Sequence, residues 1–355
     1  MEMIGVDLFA GAGGMSLGAE AAGIDVRLAI ERDPHCVDTY EYNHKNTLVI
    51  KEDIINIQDV DVPKGSNGTI LFGGPPCQGF STSNQRTRGD GNLGNWLFIQ
   101  FMRLADEWRP DWVVFENVEG ILHTSNGTFF KSVKLMLENS DYTVSYWVLN
   151  AQDYGVPQRR QRLFIIGSLE GIQVSPPPKR KAKAVTVKES IADLPFLENG
   201  ANISLLPYTC APSSEYAKKM RGKLTRCHNN IVTRNNDNVI ERYQHVPAGG
   251  NWQDIPAVLM DNYKNRDRCH TRIYHRLRSN EPSVVIGNFR KNMLIHPSQH
   301  RGLSVREAAR LQSFPDNYQF KGSIGFQQQQ VGNAVPPLLA RAVFKQILNA
   351  KSSGR

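Results

Sequence analysis

The chain has 355 residues and 39.9 kDa, long enough for two domains. Hydrophobic residues at 40% and charged residues at 21% exclude a disordered or collagen-like chain, and no apolar run reaches the length of a membrane helix. The net charge of +8 is unevenly spread: −8 over residues 1–170, +10 over 171–300 and +6 over 301–355. An acidic first half joined to a basic second half points to a polyanion near the second.

In chain order, Met3–Phe9 is short and apolar and predicts a buried strand that ends in a Gly-rich turn. Met15–Ala22 predicts a helix closed by Gly23, Val26–Ile30 a second strand, and Pro34–Asn43 a second helix with proline in its first turn. Thr69–Phe72 predicts a strand running into Gly73-Gly74-Pro75-Pro76. Asn95–Trp108 predicts a helix, and Trp112–Phe115, Thr143–Leu149 and Leu163–Ile166 three further strands. Strands alternating with helices give a largely parallel sheet covered on both faces. The pattern stops at Pro176-Pro177-Pro178-Lys179-Arg180-Lys181, a linker or domain edge. From there to about residue 300 the periodicity is weak. It returns at Ser304–Gln312, where Ser304 and Glu307 have capping-box spacing.

Asp7-Leu8-Phe9-Ala10-Gly11-Ala12-Gly13-Gly14 lies at a strand-to-helix junction, where glycines let the backbone approach a ligand. Alone, this loop suits a simple turn, NAD, FAD or S-adenosylmethionine. No GxGxxG register fits, which leans towards a ligand without phosphate. Glu31 ends the next strand, where a carboxylate can accept from two ribose hydroxyls, and Asp53 is placed to reach an adenine amino group.

The sharpest local feature is Gly73-Gly74-Pro75-Pro76-Cys77-Gln78-Gly79-Phe80-Ser81. A cysteine held by rigid flanks at a sheet edge can be a nucleophile, whereas a lone cysteine elsewhere is usually buried and inert. Phe115-Glu116-Asn117-Val118 brings a carboxyl to the same edge. In Gln158-Arg159-Arg160-Gln161-Arg162, residues 158, 160 and 162 share a face if the segment is extended. Five scattered cysteines without metal-ligand spacing fit a reducing cytoplasm and no metal site. The N-terminus lacks the pattern of an export signal.

Taken together the chain resembles the bacterial DNA (cytosine-5) methyltransferase family. The matching segments, in family order, are residues 7–14, Glu31, Asp53-Ile54, 73–81, 115–118, 158–162, 306–316 and 330–337. The resemblance implies a Rossmann-like, S-adenosylmethionine-dependent methyltransferase sheet with a smaller, irregular target-recognition domain. It implies a catalytic and cofactor-binding domain at 1–172 completed by 322–355, and a recognition domain at 173–321. Cys77 matches the catalytic nucleophile, Glu116 the glutamate at the target base, and Arg160 and Arg162 the paired arginines, with Arg160 ranked first as catalytic partner. Phe9, Ala10, Gly11, Gly13, Glu31, Arg32, Asp53, Ile54, Gly74, Pro76, Leu97, Asn333 and Ala334 are expected to bind S-adenosylmethionine, Arg32 by stacking on the adenine. In Pro282–Ile286 the family more commonly has a Thr-Ile pair, a departure expected to touch DNA contact at most.

The implied activity is methyl transfer to carbon 5 of a flipped-out cytosine in a specific duplex sequence through a Cys77 adduct. The implied setting is a restriction-modification system or a solitary relative. The expected protein is a monomer in the bacterial cytoplasm at the nucleoid, with double-stranded DNA as partner and a cognate restriction endonuclease encoded elsewhere. The polar loop Ser81–Asn95 is expected to close over DNA. A transfer-RNA cytosine-5 methyltransferase is the nearest alternative, disfavoured by the span of about 135 residues between the segment at 158–167 and that at 302–311, since a variable region this long suits duplex DNA. A catalytically inactive DNA-binding relative and a Rossmann oxidoreductase rank lower, the latter on its glycine register.

Overall fold

The computed structural model describes residues 2–58, 60–76, 97–123, 127–261, 263, 271–291 and 293–353. They form two compact units. The first comprises Met1–Tyr154, Gln161–Lys179 and Pro337–Arg355, the second Gly155–Arg160 and Arg180–Pro336. The borders between these compact units fall at 154/155, 160/161, 179/180 and 336/337.

The first unit is built on a seven-stranded sheet. In chain order its elements are β1 (Ile4–Leu8), α1 (Gly14–Ala22), β2 (Asp25–Ile30), α2 (Pro34–Asn43), β3 (Leu48–Ile50) and β4 (Thr69–Gly73). Then come α3 (Leu97–Trp108), β5 (Trp112–Val118), α4 (Thr128–Asn139), β6 (Thr143–Asn150) and β7 (Gln161–Ser168). The strand order is β3-β2-β1-β4-β5-β7-β6. The strands from β3 to β5 are parallel, whereas β7 runs antiparallel to both β5 and β6. β1, β4 and most of β5 are buried along their length, as a sheet covered on both faces requires. The proline-started helix is found at Pro34–Asn43, with the Asp33 side chain accepting from the His35 N–H as N-cap. α4 has no counterpart among the sequence-derived elements.

The second unit contains α5 (Val187–Ile191), β8 (Leu206–Pro207), α6 (Glu215–Arg221), β9 (Arg226–Cys227), α7 (Asp237–His245), α8 (Val305–Leu311) and α9 (Ile324–Asn333). α10 (Pro337–Ser353) returns to the first unit. α8 starts with the capping box read from the sequence, Ser304 and Glu307 each satisfying the other's backbone N–H.

Regular structure is sparse in the second unit, and polar side chains replace it. Arg276 is 5% exposed and donates to the carbonyls of Tyr243, Val246, His296 and Gln299. It ties the end of α7 and the segment 296–299 to its own stretch of chain, beside an apolar cluster of Tyr243, Val246, Trp252, Ile255, Met260, Tyr274 and Ile295. Arg310 is fully buried between Asp193 and Asp316, and Arg301 is paired with Glu307. Counting charge by sequence therefore overstates the cations at the surface of this region. Arg242, Arg276, Arg301, Arg306 and Arg310 are all internal.

Among the described residues, no helix is long and apolar enough to cross a membrane.

Candidate active site

Strand register builds the site. Ile50 pairs with Ile30, Ile30 with Leu8, Leu8 with Gly73, and Gly73 with Phe115. The residues that follow this row are Lys51, Glu31, Phe9 and Gly74, which leave their strands, and Glu116, which is still within β5, all on neighbouring parallel strands. In an open α/β sheet, the carboxyl ends of the strands form the ligand edge.

At one end of this edge the loop after β1 turns sharply. Phe9, Gly11 and Gly13 all have positive φ, at 57°, 55° and 79°. The Gly11 N–H donates to Glu31 Oε2 at 2.8 Å, and the Asp33 N–H donates to Glu31 Oε1 at 2.8 Å. Burial pushes the Glu31 carboxyl above its usual range, against the pull of these backbone donors. The Ala10 N–H bonds the Ile30 carbonyl, and the Gly13 N–H bonds the Ala10 carbonyl. A Cβ at Gly11 would meet nothing nearer than the Phe9 carbonyl oxygen at 3.9 Å, so open space lies beside this backbone.

Asp53 caps a short 3-10 turn at Ile54–Asn56 and pairs with Arg32, Nη1 to Oδ2, at 2.6 Å. Burial opposes the charge on Asp53, but Arg32 and the Ile55 N–H prevail and hold it below the usual carboxylate range. Arg32 is thus tied to Asp53 in this structure. Ile54 and Leu97 are buried, and Phe9 packs partly exposed against the same apolar cluster. The first-unit residues expected at the cofactor therefore follow β1, β2 and β3, with Gly74 and Pro76 following β4 and Leu97 opening α3.

At the other end stands Glu116, 7% exposed and inside β5, since the strand runs three residues beyond Phe115 to Val118. It lies opposite Phe164 of β7, and Arg162 lies two residues from Phe164 on the same face. The diagonal brings Arg162 Nε to Glu116 Oε1 at 2.9 Å. Burial lowers the Arg162 pKa, and the Glu116 charge offsets part of that. Asn117 Nδ2 donates to the Pro75 carbonyl at 3.1 Å, fastening the segment after β4 to β5. Cys77 and the loop Ser81–Asn95 lie outside the described residues.

The alternation expected over 158–162 is present: Gln158 and Arg160 are buried, Arg159 and Gln161 exposed, and Arg162 half-buried. Its members do different things. Arg162 meets Glu116 in the first unit. Arg160, 1% exposed in the second, donates to the carbonyls of Ile286, Gly332 and Ala334 at 2.9, 3.1 and 3.1 Å. Gln158 donates to Gln312 Oε1 and accepts from the Ile286 N–H. The segment 283–286 thus lies alongside 157–160, with Ser283 bridged to Gln158, so the Pro282–Ile286 variation bears on how Arg160 is seated. Asn333 ends α9 exposed, and Ala334 follows as its C-cap.

A buried polar group went unassigned in the sequence reading. Asp7, 1% exposed within β1, accepts from Ser16 Oγ at 2.6 Å, and Ser16 Oγ lies 2.7 Å from the Tyr40 hydroxyl. Burial pushes the Asp7 carboxyl well up, against the Ser16 bond and with Glu31 and Glu20 adding to it. The only local signal was an aspartate in an otherwise apolar strand.

A family model described as C-5 cytosine-specific DNA methylase matches residues 3–349. The Type II methyltransferase M.DdeI of Desulfomicrobium norvegicum is 35% identical over 369 residues, covering 96% of this chain and 88% of its own length. The Type II methyltransferase M1.HphI of Haemophilus parahaemolyticus is 35% identical over 359 residues, covering 99% and 88%. A solved structure described as a DNA modification methyltransferase encoded within an E. coli prophage aligns with a TM-score of 0.79 at 26% identity, over 98% of this chain and 99% of that one.

Proposed function

Because the chain belongs to the C-5 cytosine-specific DNA methylase family and is a DNA (cytosine-5)-methyltransferase, we propose that it moves the methyl group of S-adenosylmethionine to carbon 5 of a cytosine turned out of duplex DNA, with Cys77 as covalent nucleophile. The observation that carries this reading is the single register row that brings Phe9, Glu31, Gly74 and Glu116 to one sheet edge.

The residues at the first end fit the cofactor. Open space beside Gly11, the anchored Glu31 carboxylate and the partly exposed Phe9, packed on the apolar cluster that holds Ile54 and Leu97, suit a nucleoside that carries no phosphate. Glu31 would take the ribose hydroxyls and Asp53 the adenine edge, with Gly74 and Pro76 bordering the site. Asn333 and Ala334 are assigned to it from the family pattern. When bound, the cofactor supplies a methyl group made electrophilic by its positive sulfur.

Carbon 5 of cytosine is a poor nucleophile. Attack of the Cys77 thiolate on carbon 6 turns the ring into an enamine and makes carbon 5 reactive. Arg162 favours the charged form of Glu116 and burial the neutral one. A carboxyl held at this place can share a proton with ring nitrogen 3 as negative charge builds there. After transfer, loss of the carbon 5 proton and departure of Cys77 from carbon 6 restore the aromatic ring. Both carbons lie inside the duplex stack, so the nucleotide leaves it first, at about a few kcal/mol.

Phosphate contacts from the second unit offset that cost and weaken with salt. Exposed cations there include Lys218, Lys219, Lys223, Arg226, Arg272 and Arg278. Target recognition is assigned to residues 173–321, with 1–172 and 322–355 as the catalytic part. The relatives' Type II designation supports a modification enzyme; we propose that it acts as a monomer at the bacterial nucleoid, with a companion endonuclease encoded elsewhere.

Incubation with duplex DNA containing 5-fluorocytosine and with S-adenosylmethionine is expected to trap a covalent adduct, lost in Cys77→Ser. No adduct with the wild type removes the Cys77 mechanism. Methyl transfer is expected to duplex DNA and not to transfer RNA; the opposite preference overturns the substrate assignment.

A further inference from the structure

Asp7 and Ser16 bracket the segment 8–15, which carries Phe9, Ala10, Gly11 and Gly13. Their 2.6 Å hydrogen bond clasps the end of β1 to the first turn of α1 across that loop. A serine has one hydroxyl hydrogen. With it directed to Asp7, the Tyr40 hydroxyl 2.7 Å away is the donor to Ser16. The chain therefore runs Tyr40 to Ser16 to Asp7, through side chains that are 0%, 0% and 1% exposed.

Tyr40 belongs to α2, whose N-cap is Asp33. The Asp33 and Gly11 N–H groups are held by the two oxygens of the Glu31 carboxylate. Two ties thus join the same two pieces of chain. One is exposed to the ligand edge through Glu31, and the other is buried beneath it through Ser16.

We infer that Asp7, Ser16 and Tyr40 are positioning residues for S-adenosylmethionine, fixing the loop Phe9–Gly13 against the segment Glu31–Asp33 so that the cofactor meets a preformed edge. This rests on the cofactor assignment proposed above. The three groups do not touch the ligand. Without the chain the loop must be ordered when the ligand binds, so the cost falls on affinity and not on the chemical step.

The test uses the full chain and titrates S-adenosylhomocysteine by calorimetry into the wild type, Ser16→Ala, Tyr40→Phe and the double variant. Ser16→Ala is expected to raise Kd about tenfold and Tyr40→Phe about threefold, the loss of one or two buried hydrogen bonds. The double variant should match Ser16→Ala, because once Ser16 is gone the Tyr40 hydroxyl no longer acts through it on Asp7. At saturating S-adenosylmethionine, kcat should stay within about twofold and the KM for DNA should not move. Tyr40→Phe keeps the ring and its packing on His44, at 4.3 Å between centroids, so it carries the test even where Ser16→Ala does not fold. Unchanged Kd, additive effects, or a lower Tm with unchanged Kd each overturn the inference. If the wild type itself fails to bind, the cofactor reading falls and this inference with it; if the wild type binds and the variants bind equally, only this inference falls.

Discussion

Gly74 passes so close to Glu116 that a Cβ at Gly74 would stand 2.6 Å from the carboxylate Oε2. The missing side chain after β4 is thus what lets the Glu116 carboxyl occupy its place between β5 and β7 beside Arg162. The preceding glycine is constrained differently. A Cβ at Gly73 would fall 2.0 Å from the Leu8 carbonyl oxygen, which is backbone of the paired strand β1.

These neighbours should separate under substitution. In Gly74→Ala the flexible carboxylate end yields and the sheet stays, so Tm should be nearly unchanged while kcat falls by about 100-fold, in the range expected for a misplaced catalytic group. In Gly73→Ala the strands themselves must part, costing about 3 kcal/mol or more. Thermal unfolding and steady-state methyl transfer on both variants check this; equal losses of Tm in the two would refute the assignment.

Arg160 and Arg162 should also divide stability from catalysis. A lysine at 160 offers one ammonium where the fork of Arg160 serves three carbonyls, leaving buried acceptors unpaired. Arg160→Lys is expected to lower stability by about 2–4 kcal/mol. Arg162→Lys keeps a charge near Glu116 but loses the Nε geometry, and kcat should drop about tenfold or more with a smaller change in Tm. Urea unfolding curves beside initial rates decide it. A wild-type midpoint for Arg160→Lys would remove its structural role.

Acid should weaken the second unit from a pH well above the usual carboxylate range. Burial, joined by Arg301 and Arg276, holds the His296 imidazole down to about 4 against the attraction of Glu307. Burial opposes the Glu307 charge, but Arg301, His296 and the Ser304 N–H hold that carboxyl down to about 2. Both folded values lie below the ordinary ones, so each contribution is present at neutral pH and is lost on acidification. The His296 share goes between about pH 6.5 and 4, the Glu307 share between about 4.5 and 2. The latter is worth about 3 kcal/mol. Unfolding midpoints measured from pH 8 to 3 should fall already above pH 5, and His296→Asn should flatten that upper portion. A midpoint constant from pH 8 to 4.5 would contradict the burial of a neutral imidazole.

Local features were legible where local chemistry decides them. Glycines before an open edge, a proline-started helix at Pro34, the box of Ser304 with Glu307, and the alternation from Gln158 to Arg162 all act within a few residues. The pairing of β7 between β5 and β6 depends on partners far along the chain, and no periodicity records it. For the same reason the different tasks of Arg160 and Arg162 could not be read. The resemblance ranks Arg160 above Arg162 as catalytic partner, but two arginines on one face carry no sign that the chain passes from one unit to the other between them. The polar chain from Tyr40 to Asp7 was hidden because its three members lie on three elements. The buried arginines of the second unit were misjudged because composition counts charge without showing which carbonyls and carboxylates receive it.

Helix α10 packs on α1, where Gly18 leaves room for Ala340 and the Arg341 guanidinium reaches the Ala21 carbonyl 320 residues away. During synthesis α1 therefore emerges from the ribosome long before the partner that covers it. The last strand of the sheet ends at Ser168, yet α1 is covered only after the second unit has been made. A nascent chain interrupted before Pro337 would present an uncovered helix face to chaperones and proteases until α10 arrives to close the first unit.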